Sequence, residues 1–126
     1  MNIPEGLSYS KTHEWARRQG NEIIVGISDH AQSELSDVVF IELPKVGRLV
    51  KQEEPCAVVE SVKAAFDIYA PVSGKVTRVN PALEKDPALV NKDPYTEGWF
   101  FALEPSDAKE LSRLMDKDKY EQFLKT

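Results

Sequence analysis

The sequence contains only one cysteine, Cys56, so no disulfide bond can form within the chain. Small secreted domains usually depend on several disulfide bonds, and a lone cysteine therefore gives no sign of an oxidising compartment. No stretch approaches the roughly 18 apolar residues of a membrane-spanning helix. The N-terminus, M-N-I-P-E-G-L-S-Y-S, lacks the basic and apolar regions of a signal peptide. We therefore expect no membrane partner and a cytoplasmic protein, or a mitochondrial matrix protein if a transit peptide has been removed.

The sequence also has fewer basic residues than acidic ones. The chain has 16 Lys and Arg residues against 21 Asp and Glu residues, which gives a formal net charge of −5 at pH 7. An acidic surface does not attract nucleic acids or anionic membranes, so neither is an expected partner. Hydrophobic residues make up 41% and charged residues 29% of the chain, as in a folded globular protein. The length of 126 residues fits one domain, residues 1–126.

Recognisable catalytic constellations are missing as well. The sequence has no glycine-rich phosphate loop and no nucleophile with an adjacent base. His13 and His30 are the only histidines, and no cysteine or carboxylate joins them at the spacing of metal ligands. Cys56 is most simply a small buried apolar residue. We therefore expect no catalytic residue, no metal site and no enzymatic activity.

Short runs rich in β-branched residues, separated by turn residues, predict many short strands. The predicted strands are 14–18, 22–27, 37–43, 56–61, 64–70, 75–80 and 99–103. Residues 45–54 are predicted to form turns. Within 64–70, Phe66, Ile68 and Ala70 alternate with Asp67 and Tyr69, which predicts a strand with one buried face.

Helices are predicted between and after these strands. Ser28 and Asp29 mark the start of a short helix that ends near Leu35, with Gln32 placed to complete a capping box. Residues 81–91 fit either a short helix or a loop. Two more helices are predicted near the C-terminus: one capped by Ser106 or Asp107 and carrying Leu111, Leu114 and Met115, and one carrying Tyr120, Phe123 and Leu124. Many short strands with a small helical tail favour a β-sandwich or barrel.

Lys63 lies between two predicted strands that leave little room for a loop, so Val62 and Lys63 are predicted to form the tip of a tight hairpin. The tip lacks the Asn-Gly or Asp-Gly pair that such hairpins favour, which suggests that something else fixes its sequence. On its own, an exposed lysine is an ordinary surface residue. A catalytic amine is disfavoured, because it needs burial or a cationic neighbour to stay neutral, whereas Glu60 is close by. An exposed amine in an extended backbone is well suited to covalent attachment of a cofactor, which as an amide takes the net charge from −5 to −6.

The hairpin resembles the lipoylation hairpin of the glycine cleavage system H protein family in E-S-V-K-A and D-I-Y-A-P-V-S-G. The resemblance covers almost the whole chain and includes the blocks Y-S-K-T-H-E-W, V-G-I-S-D-H-A-Q, D-V-V-F-I-E-L-P and L-V-N-K-D-P-Y-T-E-G-W. Biotin carriers usually place methionines beside the lysine, whereas Val62 and Ala64 flank it here. Lipoyl domains of the 2-oxoacid dehydrogenases are shorter and more often show Asp-Lys-Ala.

The resemblance implies a mainly β, lipoyl/biotinyl-type β-sandwich (a barrel-sandwich hybrid) with a protruding lysine hairpin, present as a monomer. It implies that Lys63 carries lipoic acid in amide linkage. Lipoyl-attaching enzymes are then expected to recognise the residues around that lysine, namely Glu60, Ser61, Val62 and Ala64.

The resemblance also implies a non-enzymatic shuttle of the aminomethyl group of glycine. The implied partners are a glycine decarboxylase with pyridoxal phosphate, a tetrahydrofolate-dependent aminomethyltransferase, and dihydrolipoamide dehydrogenase, which contains FAD. An alternative is a lipoyl donor that supplies 2-oxoacid dehydrogenase subunits. The motif T-H-E-W favours the shuttle, because a pure donor has no aminomethyl group to protect.

In the family the loaded arm is held against a cleft, and the matching residues here are Thr12, His13, Glu14 and Asp67. Glu14 is the strongest of these, since a carboxylate can hold the protonated amine through a charge-assisted hydrogen bond. Without the resemblance, Glu14 reads as an exposed strand carboxylate. Two positions depart from the family pattern: Phe66 replaces a small polar residue beside the arm, and Ser36 replaces a glycine before a strand.

Overall fold

Nine short strands make up most of the protein, and the computed structural model describes all residues from Met1 to Thr126. The strands are β1 (Ser8–Tyr9), β2 (Glu14–Gln19), β3 (Glu22–Ile27), β4 (Val38–Glu42), β5 (Leu49–Val50), β6 (Pro55–Ser61), β7 (Ala65–Tyr69), β8 (Gly74–Val79) and β9 (Phe101–Pro105). They form two antiparallel sheets, one of six strands in the order β1-β2-β3-β9-β8-β5 and one of three in the order β4-β6-β7. The prediction of a mainly β fold is confirmed.

All seven predicted strands are present, with ends that match the prediction or differ from it by at most two residues. The largest shift is in the last strand, which begins at Phe101 where Trp99 was predicted. Strands β1 and β5 were not predicted, and residues 45–54, predicted to be turns alone, contain β5. This strand pairs with β8 through Leu49 opposite Lys75. Two residues are too few to show a period-2 pattern, so only tertiary pairing identifies such strands.

The apolar core is divided between the two faces of the six-stranded sheet. The larger cluster joins residues of both sheets and includes Ile23 and Val25 of β3. A smaller cluster on the opposite face contains Trp15 and Ile24. Strand β3 is therefore buried on both sides, which explains its continuous apolar sequence. Gly26 lies opposite Trp15, and a Cβ atom there would come within 2.5 Å of the indole ring.

Helix α1 (Asp29–Leu35) forms as predicted, but its cap differs from the prediction. Ser28 is the N-cap, and its Oγ accepts a hydrogen bond from the Ala31 backbone N–H at 3.2 Å. The Gln32 side chain donates to the Asp29 carboxylate at 2.6 Å. The predicted capping box is therefore wrong, because Gln32 bonds a side chain where a capping box needs a backbone N–H.

Two one-turn helices, α2 (Ala82–Lys85) and α3 (Leu89–Lys92), occupy the stretch that fitted either helix or loop. The first C-terminal helix is a 3-10 helix over Ala108–Arg113, and Asp107 caps it by accepting from the Lys109 N–H at 3.0 Å. The second is α4 (Lys117–Leu124). No helix of the protein is long and apolar enough to span a membrane.

The C-terminal segment is fastened to the body of the protein at three points. The Glu110 carboxylate accepts from the Ser73 backbone N–H at 2.7 Å and from its hydroxyl at 2.9 Å. Met115 and Tyr9 exchange two backbone hydrogen bonds, of 2.7 and 2.8 Å. Tyr120 of α4 stacks on Tyr9 with ring centroids 4.5 Å apart. These contacts hold residues 113–115 in place as one wall of the cleft described below.

One side chain of β7 departs from the predicted pattern. Ile68 and Ala70 are buried as the alternation predicted, but Phe66, on the same face, is 50% exposed. β7 is the edge strand of the smaller sheet, and Phe66 lies close to the tip of its hairpin. No further strand covers this side of the ring, so the expectation of a buried Phe66 is wrong.

Candidate functional site

Strands β6 and β7 form the predicted hairpin, with Val62 and Lys63 at its tip. The Ser61 N–H donates to the Ala64 carbonyl at 2.8 Å. The Ser61 Oγ accepts from the N–H groups of Lys63 and Ala64 at 3.1 and 3.3 Å. Neither tip residue has a positive φ angle, so the turn is of neither primed type and needs no Asn-Gly pair. The Ser61 hydroxyl fixes this turn.

The tip projects into solvent. Residues 62–67 are all exposed, and the four ion pairs of the protein do not involve Lys63. The Val62 N–H donates to the Asp37 carbonyl at 3.1 Å, which ties the tip to the chain leading into β4. The backbone of Lys63 is therefore held in place while its amine remains accessible.

A cleft of about 700 Å³ lies beyond the other end of β7. Its walls come from four separate parts of the chain. These parts are residues 9–12 with Glu14, residues 52–53, residues 69–71, and the fastened C-terminal residues 113–115. The cleft therefore exists only once the sheets and the C-terminal segment have packed together.

Glu14 is the buried charge of this cleft, with only 1% of its surface exposed. Its Oε1 accepts hydrogen bonds from the Ser10 and Thr12 hydroxyls, both at 2.5 Å, and its Oε2 accepts from the Tyr69 N–H at 3.2 Å. Burial raises the pKa of Glu14, and these hydrogen bonds offset part of the rise. The reading of Glu14 as an exposed carboxylate is wrong.

The backbone at His13 brings Thr12 and Glu14 together. His13 has a φ angle of 75°, the left-handed region that a non-glycine residue seldom occupies. Its N–H donates to the Ser10 carbonyl at 3.1 Å, and the Ser10 N–H donates to the Glu14 carbonyl at 2.9 Å. This tight loop presents the hydroxyls of Ser10 and Thr12 to the same carboxylate oxygen.

The His13 side chain itself lies outside the cleft. Its Nδ1 is 2.8 Å from the Tyr120 hydroxyl, and its ring centroid is 4.7 Å from that of His30. Burial lowers the pKa of His13, and the neighbouring His30 lowers it further. Of the residues matched to the arm cleft, the structure brings Thr12 and Glu14 together and leaves His13 on the far side of the loop.

Asp67 also does not line the cleft. It is exposed and lies opposite Val58 in the β6–β7 register. Because side chains alternate along a strand, Asp67 shares a face with Tyr69 and lies between the hairpin tip and the cleft. On β6, Glu60 is half-buried and pairs with Ala65.

The distance from tip to cleft is of the same order as the length of an acylated lysine. Lys63 to Tyr69 spans six residue steps, at most about 20 Å at roughly 3.3 Å per residue. A lysine side chain with an acyl chain on its amine has about ten single bonds of about 1.5 Å, a length of about 15 Å. A group attached to Lys63 through such an arm can therefore fold back along β7 towards the cleft.

Four parts of the cleft were not predicted from the sequence: Ser10, the Tyr69 backbone, and the walls at residues 52–53 and 113–115. Ser10, Thr12 and Glu14 are each two residues apart, and this spacing is only a weak sign that the two hydroxyls bind the same carboxylate. Tyr69 binds Glu14 through its backbone N–H, which almost any residue at this position would provide, so the sequence does not indicate this contact.

Comparisons with known proteins agree over nearly the full chain. The family model described as Glycine cleavage H-protein matches residues 7–126. The glycine cleavage system H protein of a Thermus thermophilus strain is 55% identical over 126 residues, covering 100% of this chain and 98% of that one. The protein of the same name from Anaeromyxobacter sp. strain K is 53% identical over 124 residues, 98% and 97% of the two chains.

A solved structure is similar as well. The crystal structure of a glycine cleavage system H protein from Mycobacterium marinum matches with a TM-score of 0.90 and 36% identity, over 98% of this chain and 100% of that one. This match confirms the predicted lipoyl-type β fold.

Proposed function

The chain belongs to the glycine cleavage H-protein family, and we propose that Lys63 is the residue on which it carries lipoate. Within the glycine cleavage system it is the lipoylated carrier component, and not one of the catalysts. When bound, lipoate supplies a dithiolane sulfur that carries the aminomethyl group of glycine. The observation that carries the proposal is the buried carboxylate of Glu14 in a cleft at the far end of β7 from the exposed Lys63.

The hairpin supports attachment at Lys63. The Ser61 hydroxyl and the β6–β7 pairing fix the backbone on both sides of the lysine. Its side chain is free to enter an active site without any part of the fold opening. The exposed neighbours Val62 and Ala64, and the half-buried Glu60, give lipoyl-attaching enzymes a fixed surface to recognise.

Glu14 is the group that holds the cargo. The carried group ends in a primary amine, which is protonated near neutral pH. The ionised carboxylate accepts a hydrogen bond from that ammonium, and charge-assisted bonds of this kind are the strong ones. The Ser10 and Thr12 hydroxyls bind Oε1 and orient the carboxylate. The walls from residues 69–71 and 113–115 limit the access of water to the cargo.

The rest of the cycle requires exchange between partners. We propose that the arm leaves the cleft to meet the pyridoxal-phosphate glycine decarboxylase, the tetrahydrofolate-dependent aminomethyltransferase and dihydrolipoamide dehydrogenase in turn, with the carrier acting as a monomer. Tethering keeps the local concentration of the cargo high at each active site. A pure lipoyl donor has no use for the Glu14 cleft, and the cleft therefore favours the carrier over that alternative.

An exchange assay tests this proposal. Wild-type protein, Lys63→Arg and Lys75→Arg are each treated with a lipoylating system and added to a glycine decarboxylase with glycine and labelled bicarbonate. Lys75 is another exposed strand lysine and serves as the matched control. We expect label to enter glycine with the wild type and Lys75→Arg but not with Lys63→Arg. Equal exchange with Lys63→Arg would show that another residue carries the arm.

A further inference from the structure

Strand β7 has one unpaired edge. The smaller sheet has the order β4-β6-β7, so β7 pairs only with β6. The edge on its other side runs from the hairpin tip towards the Glu14 cleft. Exposed strand edges are templates for pairing with another chain, and proteins usually cover or charge them.

The hydrogen bonds at its two ends show which residues of β7 face the open edge. Ala64 accepts from the Ser61 N–H and so faces β6. Tyr69 donates to Glu14 and so faces the opposite side. Because the backbone groups of successive strand residues point to opposite edges, Ala65 and Asp67 face the same side as Tyr69. No strand pairs with β7 on this side, so the N–H and C=O groups of Ala65 and Asp67 remain open to a partner.

At the other edge of this sheet the β4 residue Val38 donates its N–H to the Asn91 Oδ1 at 2.9 Å, which satisfies one backbone group there. The open edge of β7 begins two residues after Lys63. Val62 and Phe66, which flank it, are 66% and 50% exposed and add apolar surface beside the edge.

Building on the proposed function, we propose that the open edge at Ala65 and Asp67 pairs with an extended backbone segment of the enzyme that acylates Lys63. Backbone pairing fixes the register, since a slip by one residue would turn every side chain to the other face. It therefore sets the lysine amine at a constant position relative to an activated acyl group. The exposed Asp67 beside this edge, with Glu60 nearby, favours a segment that carries Lys or Arg.

The reaction served by this pairing is amide formation from an acyl adenylate. The Lys63 Nζ bonds to the acyl carbon, AMP leaves with the bonding electron pair, and the amine loses a proton to solvent. The open edge takes no part in these bonds and acts only by positioning the lysine.

A proline scan of the open edge tests the inference. Ala65→Pro removes the outward N–H, while the inward bonds of Ala64 and Phe66 to β6 are unchanged; proline is tolerated at such edge positions. Ala65→Val keeps the N–H and is the matched control. Asp67→Pro is a second variant for the event that Ala65→Pro does not fold. Circular dichroism shows beforehand which variants are folded.

The rate of acylation is measured by mass spectrometry with a lipoate–protein ligase, lipoate and ATP. We expect folded Ala65→Pro or Asp67→Pro to be acylated about fivefold to tenfold more slowly than the wild type, since one or more backbone hydrogen bonds are lost. Ala65→Val should stay within about twofold of the wild type. An unchanged rate in the folded proline variants would overturn the inference and leave the proposed function intact.

Amide hydrogen exchange gives a second readout. In the complex with the ligase and a non-hydrolysable acyl-adenylate analogue, the amides of Ala65 and Asp67 should exchange more slowly than in the free protein. Equal exchange in both states would overturn the pairing. If the ligase acylates no residue of the wild type, the proposed function fails, and this inference fails with it.

Discussion

Replacing Glu14 with glutamine tests the role of the cleft most sharply. Glutamine has nearly the same volume, and its Oε1 can still accept from the Ser10 and Thr12 hydroxyls. Its amide nitrogen, however, would face the Tyr69 N–H, and the negative charge is lost. The variant therefore removes the ionic partner of the cargo amine while leaving the cleft in shape.

The size of the effect follows from the lost hydrogen bond. A hydrogen bond to a charged group contributes about 1.5–3 kcal/mol, and about 1.4 kcal/mol corresponds to a factor of ten. Glu14→Gln should therefore release its cargo roughly tenfold to a hundredfold faster. Its folding stability should change by only about 1 kcal/mol, because the lost Tyr69 bond is offset by the removal of a buried charge.

The assay follows the loaded carrier by intact mass after the decarboxylase and glycine have been removed. Glu53→Gln is the matched control, since Glu53 lines the same cleft but is exposed and has no side-chain hydrogen bond. It should keep the wild-type lifetime. If Glu14→Gln also kept that lifetime, Glu14 would not hold the cargo and the reasoning from its burial would be refuted.

Acidity gives an independent check on Glu14. Burial raises its pKa above the ordinary value, so the carboxylate becomes protonated at a higher pH than an exposed glutamate does. The wild-type lifetime should therefore shorten as the pH falls through the raised pKa, and Glu14→Gln should lack this step. Folding stability depends on pH in the opposite direction. The folded state binds the Glu14 proton more tightly than the unfolded state does, so this proton's contribution to the free energy of unfolding is lost as the pH rises through the raised pKa. Urea unfolding of the two proteins between acid and neutral pH measures that difference.

Three other residues give simpler tests of the packing around the site. Gly26→Ala should lose about 1–3 kcal/mol of stability in urea unfolding, because its Cβ meets the Trp15 ring; unchanged stability would mean that the ring can move. Tyr120→Phe should lose about 1–3 kcal/mol, because the half-buried His13 Nδ1 and the buried Ser28 hydroxyl each lose a hydrogen bond; a smaller loss would show that water replaces the hydroxyl. His13 should titrate below the ordinary histidine range by NMR, and its contribution to stability should be lost as the pH falls from the ordinary pKa to the lowered one; an ordinary pKa would contradict its burial.

Much of the fold was predictable because its strands have strong local signals. The β-branched run of β3 and the turn residues around β6 and β7 mark their positions without any knowledge of neighbours. The hairpin tip at Lys63 followed from the lack of room between two strands. The short strands β1 and β5 were not predictable, since two residues are too few to show a strand pattern; β1 is defined by its pairing with β2 and β5 by its pairing with β8.

The candidate site was predictable only in part. Glu14 and Thr12 were identified through a resemblance, while their burial and their shared hydrogen bond depend on the left-handed backbone at His13. The Tyr69 N–H lies 55 residues further along the chain, and the C-terminal wall is more distant still. No local pattern records such contacts. Phe66 was expected to be buried and is half exposed. An alternating pattern identifies the apolar face of a strand, but it does not show which part of that face is covered by the rest of the protein.

The most direct test of lipoate attachment at Lys63 is the intact mass of the protein after treatment with lipoate, ATP and a lipoate–protein ligase, followed by peptide mapping. We expect one lipoyl-sized increment, on the peptide that contains Lys63. An increment on any other lysine, or no increment with a ligase shown to be active on another substrate, would contradict the carrier role of Lys63.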